Sequence, residues 1–358
     1  TMPLVVTSPA VGIALLLGAL VILGTWPAMM DICTLYKRND IHTFLDYATG
    51  DFAFAVIAAL TLGSLGAASP DNPTFFTQLG DMGRNWPSVI STLAGGALLM
   101  FGNLTLQIAL TMGTSLGVIL PIQGALCVII STTINYSLSP ENNDATLLFS
   151  GMFFFLLAIV LSSLAEVKYK GYLRRMNREH PKGIAVRRAE RKAQHDSAGP
   201  ASDGEDEEVE SASETDSVSS GNEDATEASL ADITGDTDAE VVEQAVEKRA
   251  TLQSNKVVKG LLVASSGGVA FGFFSPLFNI GVNDHFHWLP EGTVHLTGWT
   301  ANFFFALSFW FWAHVTGVAR MSGGPKPTDF GAYVKDGNKR GLAFATGVVC
   351  GFGNTLQF

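Results

Sequence analysis

Eight long apolar stretches divide this chain: 9–32, 44–66, 87–109, 113–136, 146–167, 257–282, 294–319 and 341–358. Most reach the ~20 residues that a helix needs to cross a bilayer. Hydrocarbon offers the backbone no hydrogen-bond partner, so each such stretch must satisfy its own N–H and C=O groups within a helix. The first is not a removed signal peptide, because it lacks a basic leading region and ends in a Trp-Pro pair that belongs to a repeat described below. The reading is an all-α polytopic membrane protein, and eight spans on one chain exclude a soluble enzyme.

Charge supports that segmentation. The chain is net −11, but 18 Asp/Glu and no Lys or Arg lie in 193–247. The remainder carries 15 acidic against 22 basic residues and is net positive. With the spans drawn from hydropathy alone, 21 of the 22 Lys/Arg fall on one face, Arg84 being the exception. The positive-inside bias then places the N-terminus outside and the long loop in the cytoplasm. Three organisational units follow: 1–167, a first transmembrane half of five helices; 168–256, a cytoplasmic loop; and 257–358, a second half with three helices. The three Cys are far apart in or beside apolar segments, which reads as small buried hydrophobes with no disulfide or metal spacing.

The two halves share motifs in the same order. Phe101-Gly102-Asn103 with Gln107 returns as Phe352-Gly353-Asn354 with Gln357. Trp26-Pro27 parallels Ser275-Pro276, and the stretch holding Asp51 parallels the one holding Asn302. Five spans before the loop turn the second half upside down, so the repeat is an inverted one, five helices plus five. The second half stops in its third span, and the chain reads as part of a ten-span protein cut in the eighth.

These residues resemble the ureide permeases of the drug/metabolite transporter superfamily. The resemblance rests on Gly24-Thr25-Trp26-Pro27-Ala28, Leu45-Asp46-Tyr47, Gly102-Asn103 with Gln107, Phe274-Ser275-Pro276-Leu277-Phe278-Asn279, Asn283-Asp284 through Pro290-Glu291-Gly292, and Cys350-Gly351-Phe352-Gly353-Asn354. Thr355 departs from it, since Gly is expected there. The resemblance implies proton-coupled import, by alternating access at the plasma membrane, of allantoin and related heterocycles such as uracil and xanthine-like compounds. Alternatives are a sugar or other small-metabolite carrier of the same superfamily, and a non-transporting membrane scaffold acting through its acidic loop.

Candidate site residues follow from the cost of polarity in lipid. Asp51 lies about two turns inside span two. A carboxylate near the bilayer centre costs about 2.5–3.5 kcal/mol on insertion scales, so it needs a use or a partner. Proton coupling is the use assigned to it; hydration from the nearer face is the competing one. Asn103, Gln107, Asn279, Asn354 and Gln357 carry amides that suit the alternating N–H and C=O edges of a ureide or nucleobase, with helix–helix bonding as the competing role. Trp26 can stack on a planar ring, and Pro27 and Pro276 are read as hinges. Ser202, Ser211, Ser213 and Ser220 each precede an acidic residue by three positions and are read as phosphorylation sites for an acid-directed kinase. The segment 196–238 is too polar to bury a core and reads as disordered, and the basic part before it lies against anionic lipid. No nucleotide loop, metal cluster, catalytic set or nucleic-acid surface is present in the sequence, so no cofactor is expected.

Overall fold

In the computed structural model, residues 8–65, 73–112, 116–142, 144–179, 239–323 and 327–357 are described. The four candidate phosphorylation serines lie outside them. The described residues form ten α-helices: α1 (Pro9–Leu35), α2 (Asp40–Leu60), α3 (Phe75–Gly80), α4 (Trp86–Thr111), α5 (Leu116–Leu138), α6 (Ala145–Glu179), α7 (Ala239–Asn283), α8 (Gly298–Met321), α9 (Phe330–Lys335) and α10 (Arg340–Thr355). Two 3₁₀ turns, Leu62–Ser64 and Pro140–Asn142, complete the elements. The chain is therefore all-α among the described residues, as its apolar pattern requires.

Six helices are long and apolar enough to cross a membrane: α1, α2, α4, α5, α6 and α7. The eight apolar stretches do all become helices, but α8 and α10 fall short of that criterion for different reasons. α8 carries His314 and Arg320 along with Trp299, Trp310 and Trp312. α10 is only 16 residues long. Only 6% and 0% of the apolar windows of α1 and α6 are buried, so their surfaces suit lipid.

Helix boundaries have local causes. Asn39 caps α2 by accepting the N–H of Ile41, and Thr297 caps α8 by accepting that of Thr300. α6 runs past the expected limit at 167 and spans Ala145–Glu179 among the described residues. α7 is a single helix of 45 residues. At 1.5 Å per residue it is about 68 Å long, against ~40–45 Å for a bilayer with headgroups, so its first turns project beyond the membrane.

The packing is paired. α1 lies antiparallel on α10, and α7 lies antiparallel on α4; α2 runs parallel to α10, and α8 parallel to α4; α2 and α8 meet between them. α5 packs on α7, with α6 outside it. Backbones touch at Gly50 and Gly347, where a Cβ on either would strike the carbonyl of Phe344 or Tyr47, and again at Gly96, where a Cβ would strike the carbonyl of Phe305. The main core joins five helices through Trp26, Phe44, Tyr47, Met100, Phe309 and Cys350. The helix ends bearing Lys37, Arg38, Arg320, Lys339 and Arg340 are here called the basic end.

Candidate functional site

The site is built where α1, α2, α4, α8 and α10 meet. Tyr47 and Asp51 are four residues apart and so share one face of α2. Cys350 and Asn354 do the same on α10. Parallel packing across the Gly50–Gly347 contact brings the two faces together. Tyr47 donates its hydroxyl to Cys350 Sγ at 3.0 Å. Asn354 Nδ2 donates to Asp51 Oδ1 at 3.3 Å and lies 3.8 Å from Cys350 Sγ.

Asp51 is 2% exposed. Among the described residues Asn354 is its one hydrogen-bond partner, and no Lys, Arg or His pairs with it. A buried carboxylate with one neutral donor and no cation is costly as an anion.

Toward the basic end, Trp26 stacks on Tyr47 with ring centroids 5.2 Å apart and planes at 26°. Phe309 meets Tyr47 edge-on at 5.9 Å. Trp26 is half-buried. Asn302 Nδ2 donates to Thr355 Oγ1 at 3.1 Å, which gives the residue that departs from the family pattern a partner on α8.

Only part of the expected set converges. Trp26, Asp51 and Asn354 do. Asn103 is buried, but its amide donates to Leu99 O on its own helix. Gln107 accepts from Arg320 Nη1 at 3.3 Å near the basic end. Asn279 belongs to a separate polar cluster at the opposite end, donating to Asn135 Oδ1 at 3.1 Å, with Asn135 Nδ2 3.4 Å from Ser275 Oγ. Asn135 thus joins α5 to α7. Gln357 lies beyond the end of α10 and is exposed, so it shares no helical face with Asn354. α1 and α7 run unbroken through Pro27 and Pro276, so neither proline breaks its helix here.

The Asp51–Asn302 correspondence also shifts. The caps Asn39 and Thr297 are 258 residues apart, as are Tyr47 and Phe305, the carbonyls that crowd Gly347 and Gly96. Asp51 and Asn302 are 251 apart. The difference of seven residues is about two helical turns, which preserves the face while moving the depth. By packing, the counterpart of Asp51 is Phe309.

Two groups of residues were not anticipated. Tyr47 and Cys350 were legible as positions one turn from Asp51 and Asn354. The basic end holds an ionic cluster of Arg38, His42, Asp46, Tyr333, Asp336 and Arg340, whose members come from two segments far apart in the chain, Asp46 and Arg340 being 294 residues apart.

A family model described as "Ureide permease" matches residues 43–358. This chain belongs to the ureide permease family. It is similar to "Probable ureide permease A3" of Vigna unguiculata, with 33% identity over 99% of this chain and 89% of that protein. "Ureide permease 2" of Arabidopsis thaliana is 34% identical over 99% of this chain and 83% of its own length. "Ureide permease 1" of the same plant is 33% identical over 97% and 81%. No solved structure matches the chain. As a ureide permease the chain is a multi-pass membrane transporter of ureide-type compounds and not an enzyme.

Proposed function

We propose that this permease imports allantoin and related oxo-heterocycles, uracil and xanthine-like rings among them, coupled to protons through Asp51. The observation that carries the reading is a buried carboxylate with no cation, bonded to the amide of Asn354 and set one turn from the Trp26–Tyr47 stack. A ureide or nucleobase presents a flat face and an edge of alternating donors and acceptors. Trp26 suits the face; Asn354, whose amide both donates and accepts, suits the edge. A substrate bearing phosphate would call for basic side chains here, and the residues around Asp51 are neutral.

Alternating access between two inverted halves belongs to the same proposal. Its support is the paired packing and the two six-residue helices, α3 and α9, each lying just before the third long helix of its half. The basic end is assigned to the cytoplasm of a plasma-membrane protein, with kinase-accessible serines in the loop. The test is uptake of radiolabelled allantoin and uracil by cells expressing the permease, at pH 5.5 and 7.5. Uptake favoured at acid pH supports the reading. Absence of uptake of either compound by protein at the cell surface overturns the substrate assignment.

A further inference from the structure

The ionic cluster at the basic end joins the α1–α2 turn to the segment between α8 and α10. Arg38 has a side chain with 0% exposure and pairs with Asp46, and it also donates to the carbonyl of Asn338. Asp46 accepts in addition from Tyr333 Oη at 2.8 Å and Arg340 Nε at 3.2 Å. His42 bridges Asp336 at 2.7 Å and Thr328 Oγ1 at 2.8 Å. Asn338 Nδ2 donates to Tyr36 O at 3.0 Å, and Lys339 Nζ sits 4.0 Å over the Tyr36 ring. The flanking residues Lys37 and Lys339 both hold positive φ, at 58° and 50°, a strained choice for lysine that the surrounding contacts must maintain.

The opposite end has a neutral analogue. Gln78 of α3 is 2% exposed, donates to His295 O at 2.7 Å and accepts from Thr297 Oγ1 at 3.0 Å. Thus each short helix touches the start of the second long helix of the other half, α9 on α2 and α3 on α8.

We propose that Arg38, Asp46 and Arg340 are positioning residues that latch the cytoplasmic end shut, and that this latch must part once in every transport cycle; the inference rests on the transporter reading above. They lie on the basic side of the Trp26–Tyr47 stack and make no contact with Asp51 or Asn354. The chemistry suits a seal that opens repeatedly. The Coulombic gain of a buried ion pair is largely offset by its desolvation, so parting it into water costs little on balance. Removing Asp46 is different, because it is the carboxylate that meets both Arg38 and Arg340, and without it the closed state leaves buried Arg38 only the longer 3.7 Å pairing with Asp336. Neutralising Asp46 therefore shifts the population toward the cytoplasm-open state.

The test uses the full chain with Cys33 and Cys127 replaced by Ala, leaving Cys350 beside Tyr47 as a reporter. A membrane-impermeant methanethiosulfonate is applied from the cytoplasmic side of inside-out vesicles and from outside in intact cells. Asp46→Asn is expected to speed cytoplasmic-side modification by about fivefold or more, the scale of a modest coupling between states, and to slow it from outside. Folded Asp46→Asn protein with both rates unchanged overturns the latch. A second variant covers misfolding of the first. In Tyr36→Cys with Asn338→Cys, oxidation should cross-link the two segments and arrest uptake, and reduction should restore it. Uptake that persists in cross-linked protein overturns the proposal, as does failure of two labelled thiols to cross-link. If wild-type protein moves neither allantoin nor uracil while Asp46→Asn still changes modification, the latch stands and the substrate reading falls.

Discussion

Replacing Asp51 by Asn isolates the proton from everything else at the site. The amide is the same size as the carboxyl and keeps an oxygen that can accept from Asn354 Nδ2, so the α2–α10 contact should survive. Exchanging a charged for a neutral acceptor costs no more than about 1–2 kcal/mol at one hydrogen bond. What is lost is the exchangeable proton. The proposed coupling through one buried carboxyl assigns one proton to each substrate. A gradient of two pH units then stores about 2.7 kcal/mol, since each unit is worth about 1.36 kcal/mol, and that is about a 100-fold accumulation. The assay is purified permease in proteoliposomes with an imposed pH gradient and labelled allantoin. Wild type should concentrate substrate toward the ~100-fold limit set by the gradient. Asp51→Asn should stop at equal concentrations inside and out while still catalysing exchange of labelled for unlabelled substrate. Accumulation by the mutant above unity would refute the assignment of Asp51, and loss of exchange as well would show that its role is structural.

Other outcomes follow from the same geometry. Trp26→Ala should raise the KM for uracil by the loss of about 1–3 kcal/mol of ring stacking, with Trp26→Phe retaining most of it, as measured by concentration-dependent uptake. Gly347→Ala places a Cβ against the Tyr47 carbonyl and should destabilise by about 1–3 kcal/mol, whereas Gly24→Ala meets nothing within 4 Å and should be neutral; thermal unfolding in detergent compares the two. Against desolvation, the hydrogen bond with His42 and the charge of Arg38 hold the Asp336 carboxyl below its ordinary value of 3.8. A depressed folded-state value gives stability that is present above 3.8 and lost as pH falls through the lower folded value, so the difference in thermal stability between wild type and Asp336→Asn should stay constant from pH 7.5 to 5.5 and shrink only in stronger acid. Deleting 196–247 should leave uptake intact, since the carrier's site is built without it; abolished uptake with normal surface expression would favour a role through the loop.

The sequence carried the helices and one face of the site well, for physical reasons. Long apolar runs have one solution in lipid, and an Asp inside such a run demands a partner. Depth was harder. The repeat placed Asn302 opposite Asp51, and packing places Phe309 there, because a slip of two turns leaves the apolar face unchanged and so leaves periodicity blind to it. Gln357 was grouped with Asn354 on the assumption that α10 continues, and α10 ends at Thr355. Asn103 and Asn279 were legible as buried amides, but an amide's partner is decided by neighbouring helices, and theirs are Leu99 O and Asn135. The ionic cluster was missed because its members lie about 300 residues apart in the chain, and charges beside span ends ordinarily read as hydrated.

The site and the latch occupy the same two helices. α2 carries His42 and Asp46 at the basic end, then Tyr47 and Asp51; α10 carries Arg340, then Cys350 and Asn354. Between the latch pair Asp46–Arg340 and the site pair Asp51–Asn354, the two backbones touch at Gly50 and Gly347. Bonds on both sides of a close backbone contact make that contact a fulcrum, because carbonyl against Cα leaves little room to slide. Protonating Asp51 weakens the tie on one side of the fulcrum, and solvating Asp46 weakens it on the other. Under the proposed coupling, a pair of helices held this way links a proton at Asp51 to the latch about five residues along the same helix.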